Sequence, residues 1–445
     1  MDIELYGKSI IDKAISGGGD EAEVYVSKKK STNIGVKGQK VDSFEQSATL
    51  ETAIRVIKDG KLGFSYTTIT DGQAVGRLVK EAIENALSNE PDKYTSFAAK
   101  AGKLPELGIY DSNLPSISEA EKIDRAMRVE KSALSYDSRV DKVRSASYGD
   151  TTKETLILSS SGLNVSWLET ICGSSIEVTA KDENGSEVGS DYDYQRYYSN
   201  LKVEEIGIRG AKTAIDMLGG RNIETRSVPV IIENTVASQF LSILASSFKG
   251  DSVQKGKSML IGKTGLSIVS PKVNIIDNGR LEGGIGSSPV DDEGTPTKCN
   301  VLINKGILTG FLHNRYTAAK ENIESAGNGT RGSFKLPPSV GLTNLYINKG
   351  TLSVEDLMSD IGDGFYITEA MGVHTADPIS GDFSIGTSGL WIKGGKKAYP
   401  VRGVAIAGNM LDLFMDIVEV GNDLRFFGGI GSPSLRIKNL TVCGK

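Results

Sequence analysis

The chain has 445 residues, with 51 Lys and Arg against 56 Asp and Glu and a formal net charge of -5. That length calls for two or three domains with separate cores, and the mild acidity leaves no electrostatic footprint for a phosphate backbone, which excludes direct nucleic-acid binding. Cys172, Cys299 and Cys443 are odd in number, far apart and without a C-x-x-C pair, which fits reduced thiols rather than a disulfide framework.

Apolar residues at helical spacing over 3–15 predict an amphipathic helix. Acidic residues at 2 and 4 are the opposite of a secretory leader, and no apolar run reaches the length of a membrane span, so the expectation is a soluble, cytoplasmic protein without a membrane partner. Two stretches, about 20–90 and 140–218, then read as variants of one unit: alternating strand residues, a hairpin turn and a helix. The turns are Lys58-Asp59-Gly60 and Asp182-Glu183-Asn184-Gly185, and Thr32 to Val56 and Glu154 to Val178 are both separated by 24 residues. Between the units a polar, Pro-bearing connection precedes a helix over 118–134, capped by Ser118 with Glu121 three residues on.

A Gly-Gly stop followed by a Pro-bearing strand start places a domain boundary near Gly220, giving an N-terminal α+β domain (1–220) and a mainly β C-terminal domain (221–445). One helix over 236–248 opens the second domain. Short β segments follow, including KVNIID, TNLYIN and GFYIT, with turns at Asn348-Lys349-Gly350 and Lys393-Gly394-Gly395-Lys396.

Material for catalysis is scarce. His374 lies near Asp377 and Asp382 on an irregular loop, where a solvated loop is the plainer reading than an acid/base cluster; His313 opens a helix, where a surface or capping role is expected. The run GDSVQKGKS has the wrong spacing and the wrong preceding element for a phosphate loop. DDEGTP groups Asp291, Asp292 and Glu293 beside glycines; it could hold a divalent cation or a peptide's amino groups, while a solvated turn is the simpler expectation.

Long segments of the chain, DNGRLEGGIGSSPVDDEGTPT (277–297), NKGILTGFL (304–312), AGNGTR (326–331), PISGDFSIGTSGLWIKGGKKAYPVRGVAIAGNM (378–410) and GSPSLRIKNLTVCG (431–444), resemble the PmbA/TldD family, first described as modulators of DNA gyrase and understood as components of a zinc metalloprotease. In the TldD branch a helix bearing His-Glu-x-x-x-His binds zinc with a cysteine nearer the C-terminus, leaving an open position for water with the Glu as base. Alignment puts Leu241 and Ser246 at the two histidine positions and Ser242 at the glutamate; Cys443 follows the closing strand, whereas the family's cysteine precedes it, and NDLRFFGGIG at that place has none. The resemblance is therefore to the zinc-free PmbA or TldE branch. It implies no catalytic or metal residues and no cofactor in this chain, zinc in a TldD-type partner, a heterodimer or a homodimer, and unfolded peptide as substrate.

Candidate substrate-binding residues are Asp291, Asp292, Glu293, Asn328, Arg331 and His374. The competing readings are an independent hydrolase built on His374, Asp377 and Asp382, and a regulatory protein that holds peptides without cutting them.

Overall fold

The computed structural model describes every residue except Asn184, so the turn expected at 182–185 lies partly outside the described residues. The N-terminal part runs α1 (Ile3–Ser16), β1 (Glu21–Lys37), β2 (Lys40–Lys58), β3 (Lys61–Thr67), α2 (Gly72–Leu87), α3 (Glu119–Leu134), β4 (Val140–Ser159), β5 (Asn164–Asp182), β6 (Gly185–Gln195) and α4 (Val203–Asp216). Local chemistry sets the ends. Asp2 accepts from the Glu4 and Leu5 amides at 2.8 and 3.1 Å to start α1, and the Ser118 hydroxyl accepts from the Glu121 amide to start α3. Both central residues of the β2–β3 turn, Asp59 and Gly60, have positive φ (51° and 72°), the conformation that matches the twist of a two-residue hairpin.

The strands form one antiparallel sheet in the order β3-β2-β1-β4-β5-β6. Its halves repeat the order helix, three strands, helix, and they join where β1 pairs with β4 from Glu23↔Ser159 to Val36↔Ala146. Val24, Val26, Ile54 and Leu156 share a core with residues of α1 and α2, while Ile34, Ala146, Ile176 and Val178 do so with α3 and α4. Because side chains alternate across a strand, one face of this sheet is dry and the other stays free to meet the rest of the chain.

The C-terminal part is mainly β. It begins with β7 (Arg226–Ile232), α5 (Asn234–Ala245), α6 (Gly250–Gln254), β8 (Ile275–Asn278), β9 (Cys299–Asn304), β10 (Ile307–Leu308), α7 (Arg315–Glu321), β11 (Gly329–Thr330) and β12 (Ser339–Val340). It continues with β13 (Leu345–Ile347), α8 (Val354–Met358), β14 (Asp363–Met371), β15 (Asp382–Lys393), β16 (Lys396–Asn409), α9 (Met410–Met415), β17 (Ile417–Val420), β18 (Arg425–Phe427), β19 (Ile430–Ser432) and β20 (Leu435–Cys443). One sheet runs β16-β15-β14-β7-β20-β17, and a further β16–β20 pairing at Ile406↔Val442 closes it into a barrel. A second sheet, β10-β9-β8-β13-β19-β18, shares the core, and α5 also packs on the barrel sheet, where Phe240 meets Phe383 of β15 edge-to-face at 5.3 Å. The helix expected over 236–248 is α5 followed by a tighter turn, Ser246–Phe248. No helix among the described residues is long and apolar enough to cross a membrane.

Candidate functional site

The acidic run at 291–293 is not a solvated turn. Asp291 and Glu293 are buried, and the loop doubles back so that Asp291 Oδ1 accepts from the amides of Glu293 and Thr295 (3.0 and 2.9 Å) while Oδ2 accepts from the Gly329 amide at 2.7 Å. Asp292 Oδ2 takes the Arg331 amide at 2.7 Å, and Glu293 Oε2 takes the Arg315 amide at 2.8 Å. A solvated carboxylate needs no such partners; a buried one does, because leaving water is costly unless hydrogen bonds or countercharges replace it.

The countercharge to Glu293 comes from the N-terminal sheet. Arg55 of β2 donates Nε and Nη2 to the two oxygens of Glu23 of β1 at 2.9 and 2.7 Å, and Nη1 reaches Glu293 Oε1 at 3.4 Å. Arg331 adds a fourth member, with Nη2 3.1 Å from Glu23 Oε1 and its guanidinium 4.9 Å from the Tyr25 ring centroid. Glu23, Arg55, Glu293 and Arg331 thus form a buried, charge-balanced joint between the two parts of the chain. Burial lowers Arg331 and the nearby Arg55 charge lowers it further; burial acts the same way on Arg55, but Glu23 and Glu293 hold Arg55 above its ordinary value. Burial raises Glu293, against the pull of Arg55.

Of the six residues singled out from the sequence, Asp291, Asp292, Glu293 and Arg331 are therefore brought together at this joint. Asn328 lies beside it, donating to Asp277 Oδ2 at 2.7 Å and to the Gly341 carbonyl at 3.1 Å. His374 stands apart, exposed on the short turn Val373–Thr375. Asp377, near it in sequence, holds the amides of Ile379 and Ser380, and Asp382 holds Asn409 Nδ2. Arg55 and Glu23 were missed by sequence reasoning. Their signal was a lone charge inside an apolar strand, Arg55 in TAIRVI and Glu23 in AEVYV, a placement that demands a buried partner.

His313 differs from expectation too. It is buried instead of lying at the surface, Asn314 takes the capping role by accepting from the Thr317 amide, and the His313 Nδ1 lies 3.3 Å from Thr317 Oγ1. Burial lowers its pKa, against the pull of Glu321, whose Oε2 lies 3.8 Å from the His313 Nε2. Gly250 of α6 lies so close that an added Cβ would meet the imidazole at 2.5 Å. The histidine is thus a packing piece between α6 and α7.

On α5, Leu241 is fully buried in the C-terminal core and Ser242 is exposed, and on the turn that follows Ser246 donates to the Ile243 carbonyl at 3.2 Å. A hydrocarbon and two neutral hydroxyls are not the donor set that holds zinc, so the residues at these positions do not fit that ion. Cys443, at the end of β20, and Cys299 are exposed; Cys172 is buried and its thiol is pushed up to about 12. At the start of α5, Glu233 accepts from the Tyr366 hydroxyl at 3.1 Å and is raised by burial.

Beside the ionic joint a cleft of about 510 Å³ opens between Leu62 and the 89–96 loop on one side and α6, α7 and β12 on the other. Arg55 and Glu293 form part of its wall. Across it, the Tyr316 hydroxyl donates to Asp92 Oδ2 at 2.8 Å.

Three successive family models match the chain: PmbA/TldA metallopeptidase domain 1 over 22–86, the central domain over 112–218 and the C-terminal domain over 225–444. The chain is 28% identical to metalloprotease PmbA of Escherichia coli O157:H7 over 98% of this chain and 97% of that one. It is 27% identical to a metalloprotease TldD homologue of Buchnera aphidicola, over 88% and 86%. Among solved structures it is similar to a protein of Thermotoga maritima described as a modulator of a DNA gyrase, with a TM-score of 0.90, 31% identity and coverage of 99% and 100%. TldE from Thermococcus kodakarensis shares the fold, with a TM-score of 0.89 at 24% identity over 99% and 100%. With three successive domain models matched over most of its length, the chain belongs to the PmbA/TldD metallopeptidase family.

Proposed function

We propose that this chain is the PmbA/TldE-type subunit of a two-chain peptidase that degrades or processes unfolded peptides, with the zinc held by a TldD-type partner. The observation that carries this reading is α5, where Leu241 is locked into the core and Ser242 and Ser246 offer only hydroxyls. Hydrolysis at zinc requires a metal-bound water and a base beside it. In this reading neither comes from α5, and the chain contributes chamber wall and substrate-contacting surface instead.

The test uses the purified chain alone and mixed with a TldD-type protein from the same source. The expected result is no stoichiometric zinc on the isolated chain, co-elution of the two proteins on sizing, and cleavage of an unstructured peptide only by the mixture. Tight one-to-one zinc retention by the isolated chain, or peptide cleavage by a homodimer of it, would overturn the assignment.

A further inference from the structure

The cleft beside the ionic joint has wall chemistry that the proposed role leaves unused. Its lining holds three cations, Arg55, Lys255 and Lys320, and four carboxylates, Glu90, Asp92, Asp251 and Glu293. Several are already engaged: Arg55 with Glu293, Lys255 with Asp251 at 3.0 Å, and Asp92 with the Tyr316 hydroxyl. Two are not. Lys320 and Glu90 have no ion pair among the described residues, and Lys320 is steered over the Tyr316 ring at 4.4 Å from its centroid.

Further capacity remains within the engaged groups. Arg55 has five N–H donors and commits three of them to Glu23 and Glu293. Asp251 Oδ2 takes Lys255, while its Oδ1 has no donor among the described residues.

A ligand of one charge sign is a poor match for such walls. A phosphate would face four carboxylates, and a divalent cation would face a guanidinium and two ammonium groups. A zwitterion satisfies both. Leu62, Pro337, Pro338 and Val340 add apolar surface for an uncharged side chain, and the volume of about 510 Å³ lies in the range of small-ligand sites. We propose that this cleft binds a short peptide by its two free termini, the carboxylate on the cations Lys320 and Arg55 and the ammonium on Glu90. The choice of a peptide among zwitterions rests on the reading of this chain as a peptidase subunit. The site is lined by this chain alone, so it would hold a short peptide with neither zinc nor partner present.

The experiment titrates the full chain, without partner, with trialanine, N-acetyl-trialanine and trialanine amide, followed by calorimetry and amide NMR shifts. Trialanine should saturate, and each capped peptide should bind at least tenfold more weakly. In Lys320→Glu, trialanine should weaken to the level of its amide, with the far-ultraviolet circular dichroism unchanged because Lys320 is exposed. Two outcomes overturn the proposal: no saturation by about 10 mM, the weak end of specific affinity, or capped peptides that bind the unaltered protein as tightly as the free one. The second comparison needs no variant, so it decides even if Lys320→Glu misfolds. Partner pairing and zinc are absent from this titration, so its failure leaves the two-chain reading standing, and failure of that reading leaves this result standing.

Discussion

Of the helix α5 and the loop at 291–293, only the loop inverts what its sequence suggests. At α5 and the turn after it, where the family resemblance leads one to look for chemistry, Leu241, Ser242 and Ser246 offer only hydrocarbon or hydroxyl, and Leu241 is fully buried in the core. At 291–293, where a polar turn beside glycines reads as solvent-facing, the carboxylates are held by backbone amides and, at Glu293, by Arg55 from the other half of the chain. Density of ionisable groups is thus a poor guide to a reaction centre. What separates the two uses is whether the groups retain unsatisfied valences toward a cavity.

The sharpest way to break this comparison is Arg55→Met. Removing the fork leaves Glu23 and Glu293 buried without their shared cation, and breaking a buried pair by deleting one partner costs about 3–5 kcal/mol. Denaturant unfolding should show that loss. A change within about 0.5 kcal/mol, the scale of an exposed pair, would mean that the joint is open to water and that 291–293 is free to act as a site.

Second in size is Leu241→Ala. If α5 is a packing element, truncation removes a buried side chain and leaves a cavity, with an expected cost of roughly 3 kcal/mol. A helix kept for chemistry at this position would tolerate the change better. Loss below about 1 kcal/mol would favour that alternative.

The contrast also explains what was legible in the sequence. The β2–β3 turn, the start of α1 and the α3 cap are local, since Asp59-Gly60, Asp2 and Ser118 each act on residues within a few positions. Periodicity likewise exposed the mainly β character of the second half. The burial of 291–293 was not legible, because Arg55 and Glu293 are 238 positions apart and nothing near either names the other. The same holds for Arg196, which follows β6 yet donates to the Gly284, Ile285 and Ser287 carbonyls of the C-terminal part. His313 was misplaced for a related reason: its role depends on α6, whose Gly250 sits against the ring. The apolar character of Leu241 could be read from the sequence, but its complete burial required the barrel and second sheet to be in place.

A pH measurement sharpens the α5 side of the comparison. Glu233, at the helix start, is raised above its ordinary value of 4.5 mainly by burial, with Lys397 pulling the other way. A carboxyl with a raised folded pKa binds more protons folded than unfolded, so its contribution to stability is greatest below the unfolded value and declines as pH rises through the folded one. Glu233→Gln cannot titrate. Relative to that variant, the unaltered protein should lose stability as pH increases from about 4.5 upward, by roughly 1.4 kcal/mol for each unit of pKa shift. Parallel pH–stability curves would show that Glu233 is not held in a dry site.

The smallest effect is expected at His374, and its smallness is the point. The imidazole is exposed on the Val373–Thr375 turn, Asp377 is occupied with the amides of Ile379 and Ser380, and Asp382 with Asn409. A histidine acting as a general base needs a partner to fix its tautomer and a reacting group within hydrogen-bond reach; among the described residues neither Asp377 nor Asp382 is hydrogen-bonded to His374, and each is engaged elsewhere through its Oδ1. His374→Ala should therefore change stability by no more than about 0.5 kcal/mol, the usual range for surface substitutions. In the reconstituted pair it should leave cleavage of an unstructured peptide within about twofold, an effect below half a kcal/mol in barrier height. The decisive comparison sets this variant beside one in which the partner's zinc helix is altered, with pairing verified by sizing in both. Loss of several orders of magnitude on changing His374 alone, in a protein that still folds and still pairs, would move the chemistry into this chain and reverse the contrast between α5 and the rest of the molecule.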